Sequence, residues 1–204
     1  MPNVQQTNLP TQLTMNEFRA ASDNAGQFAK SCRFVVRIQP PNAIDSLPAD
    51  LHLMCEAVEY PGRGFNVTET RYYGPSQSFP NNTMYNTANM SFLCRTNSPE
   101  RFFFDEWMEF INPTTSFNFA YPQEYWSRIQ IFQLAEYGVS PPGSSSRKMN
   151  VTTRLTPQAT YGWTLHKAWP TLVNPQQVSW ADNDILRLQV TFSYKYWDRP
   201  QVSK

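Results

Sequence analysis

Two histidines, three cysteines and a few carboxylates are the groups in this sequence with chemistry to offer, and their spacing decides what they can do. His52 and His166 stand alone, without the HxxxH or HExxH spacing that holds a metal ion, and no GxSxG elbow offers a nucleophile. Cys32, Cys55 and Cys94 are odd in number and have no CxxC spacing, so they read as small buried hydrophobes in a reducing compartment, with one disulfide as the less favoured alternative. Asp182-x-Asp184 could begin an EF-hand loop, but the glycine and the distal glutamate are missing, and a turn is the better reading. Pro61-Gly62-Arg63-Gly64 resembles a fragment of a phosphate loop without its Lys-Ser/Thr or following helix, and also reads as a turn. Glu56 and Glu59 could form an acid–base pair only if buried, and nothing in the sequence buries them. The sequence therefore offers no catalytic residue, no cofactor site and no metal site, and argues against an enzyme.

Composition points the same way. Over 204 residues the formal net charge is +1, so no strong field steers the chain to nucleic acid or to an acidic membrane. The basic residues are dispersed and the aromatics lack an RNP-like pattern, which excludes a sequence-specific nucleic-acid module. No apolar run is long enough to span a bilayer, and Met1–Pro10 is too polar for a signal peptide. Aromatics make up 15% of the chain and charged residues only 16%, a balance that suits large contact areas, inside the subunit or between subunits. Near-zero net charge lowers the barrier to self-association.

The elements that position these residues are mostly extended. From Leu186 to Tyr196, Leu186, Leu188, Val190, Phe192, Tyr194 and Tyr196 alternate with Arg187, Gln189, Thr191, Ser193 and Lys195. A period of two over that length predicts one long strand with an apolar and a polar face, better suited to a large sheet or a barrel than to a small sandwich. Further strands are expected at Ala29–Gln39, Leu51–Tyr60, Asn66–Tyr73, Thr83–Arg95, Glu124–Leu134 and Gln177–Ala181. Gly74–Asn82, with Pro75 and Pro80, reads as a turn-rich loop, and Tyr161–Trp169 runs up to Pro170. Met149–Leu155 is expected to be short extended structure, and residues 138–148 a surface loop. One helix is expected, Pro99–Ile111, with Ser98 as N-cap and Asn112-Pro113 closing it. Phe103, Phe104, Trp107, Met108, Phe110 and Ile111 fill one arc of its wheel; Arg101, Asp105, Glu106 and Glu109 hold the other, with Phe102 alone among them. Residues 1–28 are rich in Asn, Gln and Thr and read either as a disordered tail or as an arm that orders on a neighbour, with Phe18 and Phe28 as anchors.

Several segments in this order resemble tail tube proteins of contractile-tailed (T4-like) bacteriophages. The resemblance is carried by Glu56-Ala-Val-Glu-Tyr-Pro-Gly-Arg63, Arg71-Tyr-Tyr-Gly-Pro75, the helix Ser98–Trp107, Tyr125–Ile131, Ala168-Trp-Pro170, Asp184-Ile-Leu and Val190–Tyr194, over roughly residues 30–200. It implies a mainly β fold with a minor α part: two antiparallel sheets packed near-orthogonally into a barrel-like sandwich, with one flanking helix. The domain would span 29–204 after the arm. It also implies homohexameric rings whose inner strands join around a lumen, stacked into a tube that conducts DNA during ejection without sequence-specific binding. Tail sheath and baseplate proteins would be its partners, and no membrane. The protein would reside in the virion tail, after assembly in the host cytoplasm. The long arm and the 138–148 loop also suit a baseplate tube-initiator, or hub, paralogue.

On this reading Glu59–Met84 reaches the next ring, with Arg63, Phe65, Arg71 and Tyr73 as contacts. Phe102, Glu106 and Glu109 face the sheath or an adjacent subunit. The polar face with Arg187 and Lys195 is lumenal or external, and two cations in a DNA conduit would retard passage unless acids offset them. Two other classes compete: a monomeric β-sandwich module binding carbohydrate through exposed aromatics, and a hydrolase with an unrecognised site.

Overall fold

The computed structural model describes Met15, Asn16 and Arg19 and residues 28–135, 159–181 and 183–200. Most of the expected arm, the 138–148 loop, Met149–Leu155, Phe18 and Asp182 lie outside the described residues. The strands are β1 (Phe34–Gln39), β2 (Cys55–Val58), β3 (Arg63–Thr70), β4 (Gln77–Tyr85), β5 (Ala88–Leu93), β6 (Ser127–Leu134), β7 (Ala159–Val173), β8 (Arg187–Ser193) and β9 (Tyr196–Asp198). The helix α2 (Pro99–Ile111) has the bounds its wheel predicts; α1 (Leu51–Met54) and α3 (Pro122–Tyr125) are single turns.

All strand pairs are antiparallel, and seven strands form one sheet in the order β1-β6-β7-β8-β5-β2, with β9 added beside β7. The sheet is two layers sharing one strand. Residues 159–168 of β7 pair with β6, and Thr164–His166 also with β9, whereas Trp169–Val173 pair with β8. The change of partner falls at Lys167. Ser127 and Arg128 of β6 face Ala168 and His166, so Lys167 is the unpaired residue of a bulge, and its φ is +56°. Its ammonium lies 4.2 Å from the centre of the Trp126 ring. An L-residue in the left-handed region costs about 1–2 kcal/mol. We therefore expect Lys167→Val to lower stability by about 1–2 kcal/mol and Lys167→Gly to stay within about 0.5 kcal/mol of the parent, read from urea midpoints.

The core fills the space between the layers. Val36, Ile129, Ile131 and Leu165 enter it from the first layer. Met90, Phe92, Leu188, Val190 and Phe192 enter from the second, opposed as Met90 to Val190, Phe92 to Leu188 and Ala88 to Phe192. Phe103, Phe104, Trp107 and Ile111 of α2 close it, with Phe104 centred 5.2 Å from Phe92 and 6.0 Å from Phe192. Each buried ring or branched chain contributes about 1.5–3 kcal/mol, which makes this the main source of stability. The two packed antiparallel sheets and flanking helix are as expected. The barrel does not close within one subunit: among the described residues, β1 and β2 end the sheet without a further partner strand.

Several local expectations are corrected. Leu51–Tyr60 is a helical turn followed by the short β2, because so brief an apolar run fits either state. The last strand breaks at Tyr194-Lys195, and β9 crosses to the first layer. β7 continues through Pro170, beside a register shift and at the margin of the second layer, where a missing N–H is tolerated. Gln177–Ala181 is not a strand. Thr83–Arg95 is divided between β4 and β5, and Glu124–Leu134 begins as α3. Ser98 has φ +45° and no side-chain cap, its hydroxyl donating instead to the Arg95 carbonyl at 3.3 Å. Cys32 is exposed and all three thiols are free; burial pushes the Cys55 thiol up to about 12.

Candidate assembly surfaces

Three exposed surfaces hold the residues singled out from sequence. The first is the polar face of the second layer. Arg187 forms a two-pronged ion pair with Glu56, Nε to Oε2 at 2.7 Å and Nη2 to Oε1 at 3.3 Å, and Glu56 raises the Arg187 pKa. Asn174 Nδ2 donates to Gln189 Oε1 at 2.9 Å. Thr191 Oγ1 donates to Asn89 Oδ1 at 2.8 Å, and Asn89 Nδ2 to Glu59 Oε2 at 2.8 Å. Four adjoining strands and their loops thus carry a polar ladder that holds one cation, Arg187 paired with Glu56, and a second carboxylate, Glu59, bonded to Asn89. Glu56 and Glu59 belong to this ladder, a role that their chain separation from β8 hid. Lys195 falls in the break between β8 and β9, off the ladder, with its N–H bonded to the His166 carbonyl at 3.0 Å.

The second surface is the hairpin β3–β4, which forms a two-stranded sheet of its own. Gln77–Asn82 of β4 fall in the stretch expected to be a loop, and Arg63 and Gly64, expected in a turn, open β3. At the root, Tyr85 meets Tyr194 edge-on at 6.2 Å, and Arg63 lies 5.3 Å over Phe65 and 6.0 Å over Tyr85. Phe65, Val67, Phe79 and Met84 along the strands are about half exposed. Tyr72 and Tyr73 at the tip are 90% and 96% exposed, next to Arg71 and a glycine, Gly74, whose φ of +85° turns the chain. Arg63 and Phe65 therefore sit at the base, and Arg71 and Tyr73 at the far end.

The third surface is the outer side of α2. Phe102 is exposed as expected, but its acidic neighbours are engaged differently. Glu109 Oε1 accepts from Thr114 N and Oγ1, both at 2.8 Å, closing the helix end, and one Glu106 oxygen is buried. The structure does not bring Phe102 together with the hairpin or with the polar ladder.

One polar residue at the helix start had no role in the sequence reading. Glu100 is fully buried and accepts from Arg95 Nε at 2.7 Å and Arg95 N at 3.2 Å. Burial pushes its carboxyl up, but backbone N–H groups of Glu100 and Arg95 and the Arg95 guanidinium outweigh this and hold it below the usual value. The sequence signal was an acid in the first helical turn with an arginine five residues before it. His166, stacked on Tyr196 at 4.7 Å, has Nε2 3.0 Å from Asp198 Oδ2 without the alignment of a hydrogen bond. His52 is exposed, its Nδ1 3.1 Å from the Ala49 carbonyl.

A family model described as phage tail tube protein matches residues 29–199. The chain belongs to the phage tail tube protein family. A search of curated protein sequences found no match. Among solved structures, this tube protein is similar to a chain in the 6-fold symmetrised baseplate of the anti-feeding prophage, with a TM-score of 0.59 at 16% identity, covering 88% of this chain and 99% of that one. It is also similar to a chain in the extended sheath–tube complex of the PVC extracellular contractile injection system, with a TM-score of 0.55 at 13% identity over 93% of this chain and 99% of that one. A chain in the anti-feeding prophage tube-terminating cap gives 0.52 at 14% identity, covering 85% and 91% respectively. At these identities the likeness is one of fold. The family places the chain among structural tail tube proteins.

Proposed function

We propose that six copies of this tube protein form a ring whose wall is the second layer, and that rings stack into a conduit for DNA. The observation that carries this reading is the second layer itself. It is four strands wide, β7-β8-β5-β2, and its margins, β2 and the Trp169–Val173 part of β7, have no further strand partner among the described residues. Joining the β2 margin of one copy to the β7 margin of the next is a head-to-tail contact, which closes as a ring and covers edges that would otherwise aggregate. The six-fold symmetry imposed on the similar baseplate structure supports the ring size. The polar ladder then faces the lumen. Glu56 and Glu59 offset Arg187, and Lys195 lies off the ladder, so the wall does not hold DNA as a cationic surface would.

The hairpin β3–β4 extends beyond this wall as an arm to the adjoining ring, with Arg71 and Tyr73 at its tip. Phe102 on the outer side of α2 suits a contact with sheath or baseplate proteins, and the virion tail is the setting in which these surfaces act. Negative-stain electron microscopy across a concentration series tests the reading. We expect six-fold rings with a central channel, lengthening into tubes. Rings that never lengthen would indicate the baseplate initiator, and a monomer at every concentration would overturn the proposal.

A further inference from the structure

The two ends of the second layer carry different exposed groups. At one end, Ala88 of β5 lies opposite Phe192 of β8; here the chain leaves β2 for the hairpin and returns from it to β5. At the other end, Leu93 lies opposite Arg187, and the connection from β7 to β8 crosses over. That connection is held down at its start, where Gln176 Nε2 donates to the Arg187 carbonyl at 3.0 Å, and Arg101 Nη1 donates to Gln176 Oε1 at 3.4 Å. Past Gln176 it turns outward. Val178 is 82% exposed, Trp180 fully exposed and Ile185 61% exposed, with the exposed carboxylate of Asp184 beside Ile185. A tryptophan ring fully open to solvent, with largely exposed Val178 and Ile185 nearby in the loop, marks an interaction site.

We propose that this β7–β8 loop is the receiving surface for the hairpin tip of a second copy of the chain, in the adjoining ring. The proposal rests on the ring reading above and names the partner of its arm. The occupant follows from position and charge. The strands of the second layer connect the two loci, so in a ring built from that layer the hairpin leaves one face and the β7–β8 loop the opposite one. Head-to-tail stacking then brings the hairpin of each copy onto the loop of another. The tip presents Arg71 with Tyr72 and Tyr73; the loop presents Asp184 with Val178, Trp180 and Ile185. Cation meets carboxylate and aromatic meets aromatic, and a tyrosine–tryptophan contact closed around an ion pair has the composition of an interface hot spot. Stacking like faces would instead set Arg71 against Arg71.

The test compares purified full-length chain with Trp180→Ser, Arg71→Glu, Asp184→Arg and the double variant Arg71→Glu with Asp184→Arg. Rings and tubes are counted by electron microscopy and tube mass is measured by sedimentation. Because the contact repeats around each ring junction, we expect Trp180→Ser and either single charge reversal to leave rings while reducing tube mass by about tenfold or more, and the double variant to recover it. Recovery by the double variant excludes misfolding as the cause. Parent tubes together with normal tubes in all three single variants would overturn this inference and leave the ring reading standing. Parent protein that forms neither rings nor tubes would overturn the ring reading, and this inference with it.

Discussion

Replacing Trp107 with alanine is expected to remove about 3–5 kcal/mol of stability, the range for large aromatic-to-alanine changes in a packed core. Trp107 is fully buried, centred 5.7 Å from Phe103 and 6.3 Å from Phe192, so its ring joins the helix to the second layer. Its indole N–H also donates to the Tyr125 carbonyl at 3.2 Å, tying α2 to the turn that precedes β6. Truncation would open a cavity, strip contacts from the helix and the second layer and leave that carbonyl without its indole donor. A domain at the low end of the usual range of about 5–15 kcal/mol would then be partly unfolded at 37 °C. Trp107→Phe keeps most of the ring contacts and should lose about 1–3 kcal/mol, mainly through the carbonyl. Phe102→Ala, five residues earlier on the same helix but 63% exposed, should change stability by less than about 0.5 kcal/mol. Urea unfolding followed by circular dichroism ranks the three, and a Phe102→Ala loss equal to that of Trp107→Ala would show that the helix is packed on a different face.

Glu100→Ala is expected to be the most costly change of a charged residue. It removes the acceptor of Arg95 Nε and Arg95 N and leaves the arginine without its buried partner. The cost should be about 2–3 kcal/mol, less than the about 3–5 kcal/mol of a fully buried pair, because the Arg95 side chain is 41% exposed and screened by solvent. The pH dependence has a definite sign. The folded carboxyl titrates below its unfolded value, so its contribution is complete above the ordinary carboxylate range and is lost as pH falls through the folded pKa. Glu100→Gln cannot titrate there. Between pH 7 and pH 3 the parent should therefore lose more stability than Glu100→Gln, and parallel losses in the two proteins would remove Glu100 as the cause.

The elements readable from sequence are those whose pattern is set by burial. The bounds of α2 were legible because Pro99 fits the first helical turn and Phe103, Phe104, Trp107 and Ile111 repeat at helical spacing toward one core. The apolar side of β8 was legible because Leu188, Val190 and Phe192 all face inward with nothing interrupting the alternation. The hairpin was half missed for the opposite reason. Both of its faces are largely exposed, so β4 has no buried stripe, and its prolines and asparagines carry the composition of a loop. Pro80 is accommodated because the register with β3 shifts beside it. The crossing of β7 between layers was hidden too, since the residue that makes it is a lysine with no sequence mark of a positive φ. Among the candidate contacts, Arg71 and Tyr73 are named from character alone and the structure leaves both exposed, whereas the pairing of Arg187 with Glu56 joins positions 131 residues apart and only the fold could supply it.

Because β7 runs unbroken from one layer to the other, the two layers are joined by a covalent tie as well as by side-chain packing. The backbone of β7 spans both layers and is irregular at two points near the crossing, the bulge at Lys167 and the register shift between Pro170 and Leu172. The bulge is braced on both sides, by the Ser127 hydroxyl on the Ala168 carbonyl at 2.9 Å and by Lys195 N on the His166 carbonyl at 3.0 Å. A load on one layer would thereby reach the other through one continuous strand as well as through the packed side chains between them.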